Sequence, residues 1–198
     1  PVSERECSTP RTMYGSNKLY CEHLGRYYAS YYKQLDTEVH ANLVDFRSIR
    51  FPGLISALTT PSGGTSDYAS EMIHSAANSE AYTCFVRPDT RIPFMAMPDA
   101  IDAILALTNR EGTDLSQHVY NVSAFNPSAA EIHELVAKAY PSAHVAFEPD
   151  TRRQAIVDSW PSAVDDRLAR IDWGYSPHYD LVTCFHDYLI PTVSEIYR

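Results

Sequence analysis

Helical stretches alternate with short β-branched and aromatic runs along the whole of this chain, and that alternation constrains the fold more than any other feature, because it is the pattern of an α/β layered architecture. Residues 12–33 read as a helix with a broad stripe at helical spacing, formed by Tyr20, Leu24, Tyr27, Tyr28, Tyr31 and Tyr32. Such a stripe predicts a face committed to a core or to a second copy of the chain. Residues 43–50 alternate apolar and polar as a strand does, and Phe51-Pro52-Gly53 reads as the strand's end. A loop rich in glycine and hydroxyls, 59–66, leads into a helix over 67–78, and short strands are expected near 82–86 and 92–95. Pro98-Asp99 opens an alanine-rich helix to about 109, since proline suits a first helical turn. Residues 119–122 read as a strand. Ser128 and Glu131 then stand at capping-box spacing before a helix that runs to about 139. A strand at 144–147, a turn around 152–158, a helix near 165–171 and an amphipathic helix from Leu181 to Ile196 complete the chain. The early strands that would build a large parallel sheet are not among these elements, so the pattern predicts the closing portion of a larger α/β fold.

Composition narrows the function classes. At 198 residues the chain can support one good core and a satellite lobe without a disulfide scaffold. Its formal net charge of -9 argues against nucleic acid as a partner, because a phosphate-backbone binder gathers Lys and Arg. Cys7, Cys21, Cys84 and Cys184 lie far apart with no C-x-x-C pair, which predicts reduced, structural thiols. The histidines show no zinc-ligand spacing, so no metal is expected. Asn121-Val122-Ser123 fits a glycosylation triplet, but it falls in a predicted strand and is set aside. No run approaches the ~18 apolar residues of a membrane span. The opening Pro-Val-Ser-Glu-Arg-Glu is no signal peptide, so a soluble chain away from membranes is expected.

Tyr14-Gly15-Ser16-Asn17-Lys18 places a phenol and an ammonium four residues apart at the start of the first helix, where both project from one face. A tyrosine ordinarily deprotonates near pH ~10, and a cation held beside it favours the phenolate. Tyr14 is therefore a candidate general base, with Lys18 as its tuning charge. The bare Y-x-x-x-K spacing also describes many solvated helix faces, so its context matters: an Arg50-Phe51-Pro52-Gly53 segment follows the next strand, and then the glycine-rich loop.

Pro10-Arg11-Thr12-Met13-Tyr14-Gly15-Ser16-Asn17-Lys18, followed by Arg47-Ser48-Ile49-Arg50-Phe51-Pro52-Gly53-Leu54-Ile55-Ser56, resembles the catalytic helix and next strand of the extended short-chain dehydrogenases, the NAD-dependent epimerase/dehydratase family. Gly63-Gly64-Thr65-Ser66-Asp67-Tyr68-Ala69, the segment from Arg153 to Pro161, and Asp165-Asp166 through Asp172-Trp173-Gly174 are similar to the L-threonine 3-dehydrogenase branch. The resemblance implies the C-terminal portion of a Rossmann-like fold: a catalytic helix and strand in 1–58, and in 59–198 mainly a small α/β substrate lobe with segments returning to the Rossmann core. It further implies NAD as cofactor and L-threonine as substrate, oxidised at C3 to 2-amino-3-ketobutyrate. Tyr14 would take the hydroxyl proton, and Lys18 would tune Tyr14 and hydrogen-bond the nicotinamide ribose. Leu54 would border the nicotinamide, Gly64 and Thr65 would hold the amino acid's polar end, and Trp160 would wall the pocket. Each has a structural alternative: a tight turn at Gly64-Thr65, core packing for Trp160 and Leu54.

The departures are also specific. The family's G-x-x-G-x-x-G pyrophosphate turn does not occur in these residues. Nor does the hydroxyl residue about two dozen positions before the tyrosine, and Ser8 and Thr9 are too close to replace it. The stretch 34–42 is longer than the family's usual connection and reads as a surface insertion. These 198 residues alone are therefore expected to be inactive. The alternatives are a nucleotide-sugar epimerase or dehydratase of the same family, or a non-catalytic C-terminal piece. The resemblance also implies a homodimer through the helix from Tyr14 to Lys33, and a mitochondrial location in a eukaryote or a cytoplasmic one otherwise.

Overall fold

The computed structural model describes residues 1–6, 9–33, 35–36 and 44–198. Most of the expected 34–42 insertion, the first residue of the 43–50 strand, Cys7 and Ser8 lie outside the described residues. Helix α1 (Met13–Arg26) begins at Thr12, whose hydroxyl accepts the Gly15 amide, and it passes into a π-helical segment, Tyr27–Tyr31. Strands β1 (Ser48–Arg50) and β2 (Gly53–Ile55) follow, then α2 (Tyr68–Ala77), β3 (Tyr82–Cys84), β4 (Phe94–Ala96) and α3 (Met97–Thr108). A single turn of 3-10 helix, Gly112–Asp114, precedes β5 (Val119–Asn121), and α4 (Ala129–Ala139) and β6 (Val145–Phe147) come next. Helices α5 (Thr151–Val157) and α6 (Arg167–Trp173) lead to the terminal helix. That helix is built from α7 (Leu181–Thr183), a π-helical segment (Cys184–Leu189) and α8 (Ile190–Ile196).

Every strand of this set pairs in parallel: β1 with β5, β2 with β4, and β3 with β6. Parallel pairing demands a crossover between partners, and the intervening helices supply it. The β1 and β5 strands lie far apart in sequence yet run side by side, Ile49 opposite Tyr120. Two apolar clusters hold these pairs. The larger gathers Tyr68, Met72 and Ile73 of α2, Ile132 and Val136 of α4, and Phe185, Leu189 and Val193 of the terminal helix around Ile55, Cys84 and Phe94. The smaller packs α3 and α6 on β4 and β5 through Ala103, Leu107, Met95, Tyr120 and Trp173. Asp172 is buried beneath it and accepts from the Ser116 amide at 2.9 Å, the Ser116 hydroxyl at 2.6 Å and the Tyr120 hydroxyl at 2.7 Å. Burial raises the carboxyl's pKa, and these bonds outweigh burial and leave it lowered.

The architecture is α/β with parallel strands, as the alternating pattern predicts. One local reading needs correction: the turn around 152–158 is the helix α5. The strand ends before Phe51-Pro52-Gly53 as expected, and a further strand that the sequence reading did not include, β2, opens at Gly53 and pairs with β4. Cys21, Cys84 and Cys184 are free thiols. Among the described residues there is no group of three metal-ligating side chains, and no helix is long and apolar enough to cross a membrane.

Candidate active site

Helix α1 brings Tyr14 and Lys18 onto one face, with the Lys18 ammonium 5.3 Å from the centroid of the Tyr14 ring. Tyr14 is 73% exposed. One turn further along, Glu22 fixes the helix to the sheet. Its carboxylate accepts both arms of the Arg50 guanidinium at 2.7 Å, and Arg50 also donates to the Glu4 carbonyl at 3.2 Å. A bidentate, half-buried pair of this kind adds directional constraint as well as attraction. The Glu4 carboxylate accepts the Asn121 amide at 3.0 Å, so the N-terminal segment, α1, β1 and β5 share one polar network.

Beside this network opens a cavity of about 450 Å³. Lys18 and Gly15 line it from α1, Pro52 and Gly53 from the approach to β2, Ser66 from the glycine-rich loop and Trp160 from the turn after α5. These groups come from four separate segments of the chain. Of the residues singled out from the sequence, Lys18 and Trp160 line the cavity; Tyr14, Leu54, Gly64 and Thr65 do not, although Gly15, Gly53 and Ser66, the chain neighbours of Tyr14, Leu54 and Thr65, do. Trp160 is 37% exposed, so it is a wall rather than core, and Leu54 is likewise open at 36%. Thr65 is half-buried and Gly64 exposed.

The loop before α2 is a tight turn with several fasteners. Gly63 sits at φ 90°, a left-handed conformation in which a β-carbon is strained. The Asp67 carboxylate accepts the Gly64 amide at 2.8 Å and the Ser62 amide at 3.2 Å, and the Asp67 amide returns to the Gly64 carbonyl. From the far side Arg153 donates to the carbonyls of Gly64 at 2.9 Å and Gly63 at 3.3 Å. Neither Asp67 nor Arg153 is signalled as a site residue by periodicity or spacing: Asp67 ties its own loop, and Arg153 reaches that loop across the tertiary fold.

The glycine-rich turn that would cradle a dinucleotide pyrophosphate is absent from the 198 residues. What is present fits the opposite end of such a cofactor. An ammonium and a phenol share one exposed helix face beside the cavity, and among the described residues neither Tyr14 nor Lys18 makes a hydrogen bond or ion pair. Their donors are thus available to a ligand.

The parallel strands, the Tyr14/Lys18 helix and the loop-lined cavity make up an α/β architecture, and a family model described as the NAD dependent epimerase/dehydratase family matches residues 1–123. The chain belongs to that family. It is 40% identical over 181 residues to the mitochondrial L-threonine 3-dehydrogenase of Bos taurus, an alignment covering 91% of this chain and 46% of that protein. It is 41% identical to an uncharacterized epimerase/dehydratase of Staphylococcus haemolyticus, over 87% of this chain and 51% of that one. Among solved structures, a monomeric L-threonine 3-dehydrogenase of metagenomic origin in its apo form superposes with a TM-score of 0.85 at 37% identity, covering 96% of this chain and 58% of the other. The chain spans about half the length of the curated relatives it matches.

Proposed function

We propose that the chain carries the general base and much of the substrate pocket of an NAD-dependent L-threonine 3-dehydrogenase. The observation that carries this reading is the convergence of Lys18, Ser66 and Trp160 on one cavity from three distant segments. The likeness to L-threonine dehydrogenases in sequence and in structure supports it. Residues 1–58 hold the catalytic helix and Rossmann strands. Residues 59–198 are mainly the substrate lobe, with β4, α3 and β5 returning to the sheet.

In this reading the Tyr14 hydroxyl oxygen receives the proton of the threonine C3 hydroxyl, and the Lys18 ammonium beside it supplies the positive charge that a phenolate needs. Lys18 would also hold the nicotinamide ribose and Leu54 would border the nicotinamide of NAD+, which when bound would supply the acceptor for the C3 hydride. Gly64 and Thr65 present backbone and hydroxyl groups to the amino and carboxyl ends of the substrate, and Trp160 excludes water from one side. The exposed aromatic face of α1 pairs two copies of the chain.

A nucleotide-sugar epimerase or dehydratase is the second reading, favoured by the family itself. The cavity argues for the small zwitterion. Its lining cations are Lys18 and Arg50, and Arg50 is already neutralised by Glu22, which leaves little positive charge for a diphosphate. Incubating the full-length protein with NAD+ and either L-threonine or a UDP-sugar separates the two readings, since turnover should appear with threonine alone. Tyr14→Phe in that protein should lower kcat by roughly 100-fold or more while NAD+ binding persists. Retention of most activity by this variant would remove Tyr14 from the mechanism. A chain of residues 1–198 alone is expected to turn over no threonine, and measurable turnover by it would refute the need for a pyrophosphate turn supplied from elsewhere.

A further inference from the structure

We infer that Arg153 is a positioning residue that locks the Gly63-Gly64 turn, which leads to the cavity-lining Ser66, to the helix that leads to Trp160, so that the two walls of the substrate pocket move as one piece. The inference rests on the dehydrogenase reading for what the pocket binds, but the clamp itself is geometric.

Three observations carry it. The Arg153 guanidinium lies over the face of the buried Phe85 ring, its central carbon 3.2 Å from the ring centroid. Stacking on an aromatic fixes the plane of the guanidinium, and hence the direction of its donors. From that plane one terminal nitrogen reaches both the Gly63 and the Gly64 carbonyls. The turn these carbonyls belong to is stiffened from the other side by Asp67 at Gly64 and Ser62. A loop held only by Asp67 would be tied to α2 but not to α5.

Helix α5 is itself firmly placed, so the clamp transmits position. Asp150 caps it by accepting the Arg152 and Arg153 amides at 2.9 and 2.8 Å. The Gln154 side chain accepts the Arg87 amide at 2.8 Å and donates to the Thr90 hydroxyl at 3.1 Å and to Asp158 at 2.8 Å. Asp158 in turn receives both arms of Arg87, and that guanidinium, with help from Gln154, holds its carboxyl below the usual range. Trp160 hangs from the last turn of this helix, its amide donating to the Val157 carbonyl at 2.9 Å. The pocket wall at Trp160 and the turn that leads to the pocket wall at Ser66 are therefore joined through a single side chain. Only Arg153 crosses between them among the hydrogen bonds of the described residues that reach the Gly63 and Gly64 carbonyls from outside the loop.

The chemistry sets the consequence. A small zwitterion is held by few hydrogen bonds, so an error of about 1 Å in the loop weakens binding strongly. The groups at Tyr14 and Lys18 stand on another element and are unaffected. The test compares the full-length wild type with Arg153→Met, which keeps the stem on Phe85 but removes the donors, and with Arg153→Lys. Three quantities are read: KM for L-threonine, KM for NAD+ with kcat, and amide hydrogen exchange across residues 62–66. Arg153→Met should raise the threonine KM about tenfold or more, change kcat by less than about threefold and leave the NAD+ KM unchanged. Exchange at 62–66 should be faster, and Arg153→Lys should fall between the two. Unchanged exchange in Arg153→Met would overturn the clamp. So would parallel losses in kcat and in both KM values, because they would mark general destabilisation. If the wild type turned over no threonine, the dehydrogenase reading would fail, while the exchange measurement would still decide the clamp.

Discussion

His74 shows how one side chain couples the fold to pH. Its ring is buried between α2 and the end of α8, with Nδ1 3.0 Å from the Tyr197 hydroxyl and Nε2 lacking a hydrogen-bond partner among the described residues. Burial lowers its pKa below the ordinary 6.5, because the charged ring would lose its water. The unfolded chain therefore binds a proton at a pH where the folded chain does not, and stability rises with pH across that interval. Stability contributed by neutral His74 is complete above pH 6.5 and is lost as pH falls from there through the lower, folded value. Replacing His74 with Gln should flatten the stability profile in that window, measured by urea denaturation at a series of pH values. An unchanged slope would assign the acid sensitivity to another group. At the same scale the sequence exposed the Tyr14/Lys18 pair, since four residues on a helix share a face whatever the fold. It could not expose Arg153, whose partners lie about ninety residues away.

Among the elements, α4 was the most legible. Ser128 accepts the Glu131 amide at 3.2 Å and Glu131 reaches back to the Ser128 amide at 2.7 Å, which is the reciprocal bonding that S-x-x-E spacing promises. Glu131 also meets Arg91 at 2.8 Å, and that contact first, then the Ser128 amide, brings its carboxyl down to about 2. Ser128→Ala should destabilise the protein by about 1 kcal/mol by leaving helix donors unpaired, and thermal melting would register it. One element was misread and one was missed, each for a definite reason. Helix α5 shows little apolar periodicity because one of its two buried residues is Gln154, which serves as a polar anchor. Strand β2 hides behind Pro52-Gly53, residues that usually end strands. Here Gly53 opens the strand because the Phe94 ring lies 2.7 Å from where its β-carbon would stand, so the β2 and β4 strands approach only through glycine.

For the molecule as a whole, the unspent feature is the aromatic face of α1 and the π-helical segment that continues it. Tyr20 is 64% exposed and Tyr31 55%, with Leu24, Tyr27 and Tyr28 also open, while Tyr27, Tyr28 and Tyr32 pack their rings on one another. A contiguous apolar patch of this kind on a helix suits a partner helix. In the proposed pairing of two copies, sedimentation of the full-length protein should give a dimer, and Leu24→Glu should shift it to monomer. A strict monomer in the wild type at micromolar concentration would refute the pairing. By itself the sequence determined the α/β class, the helix that presents Tyr14 and Lys18, and the capped start of α4, because each depends on contacts within a few residues of chain. Only the tertiary structure decided the pairing of β1 with β5 and of β2 with β4, the cavity shared by Lys18, Ser66 and Trp160, and the Arg153 clamp. Those contacts join segments distant in sequence, and close packing in three dimensions is what selects them.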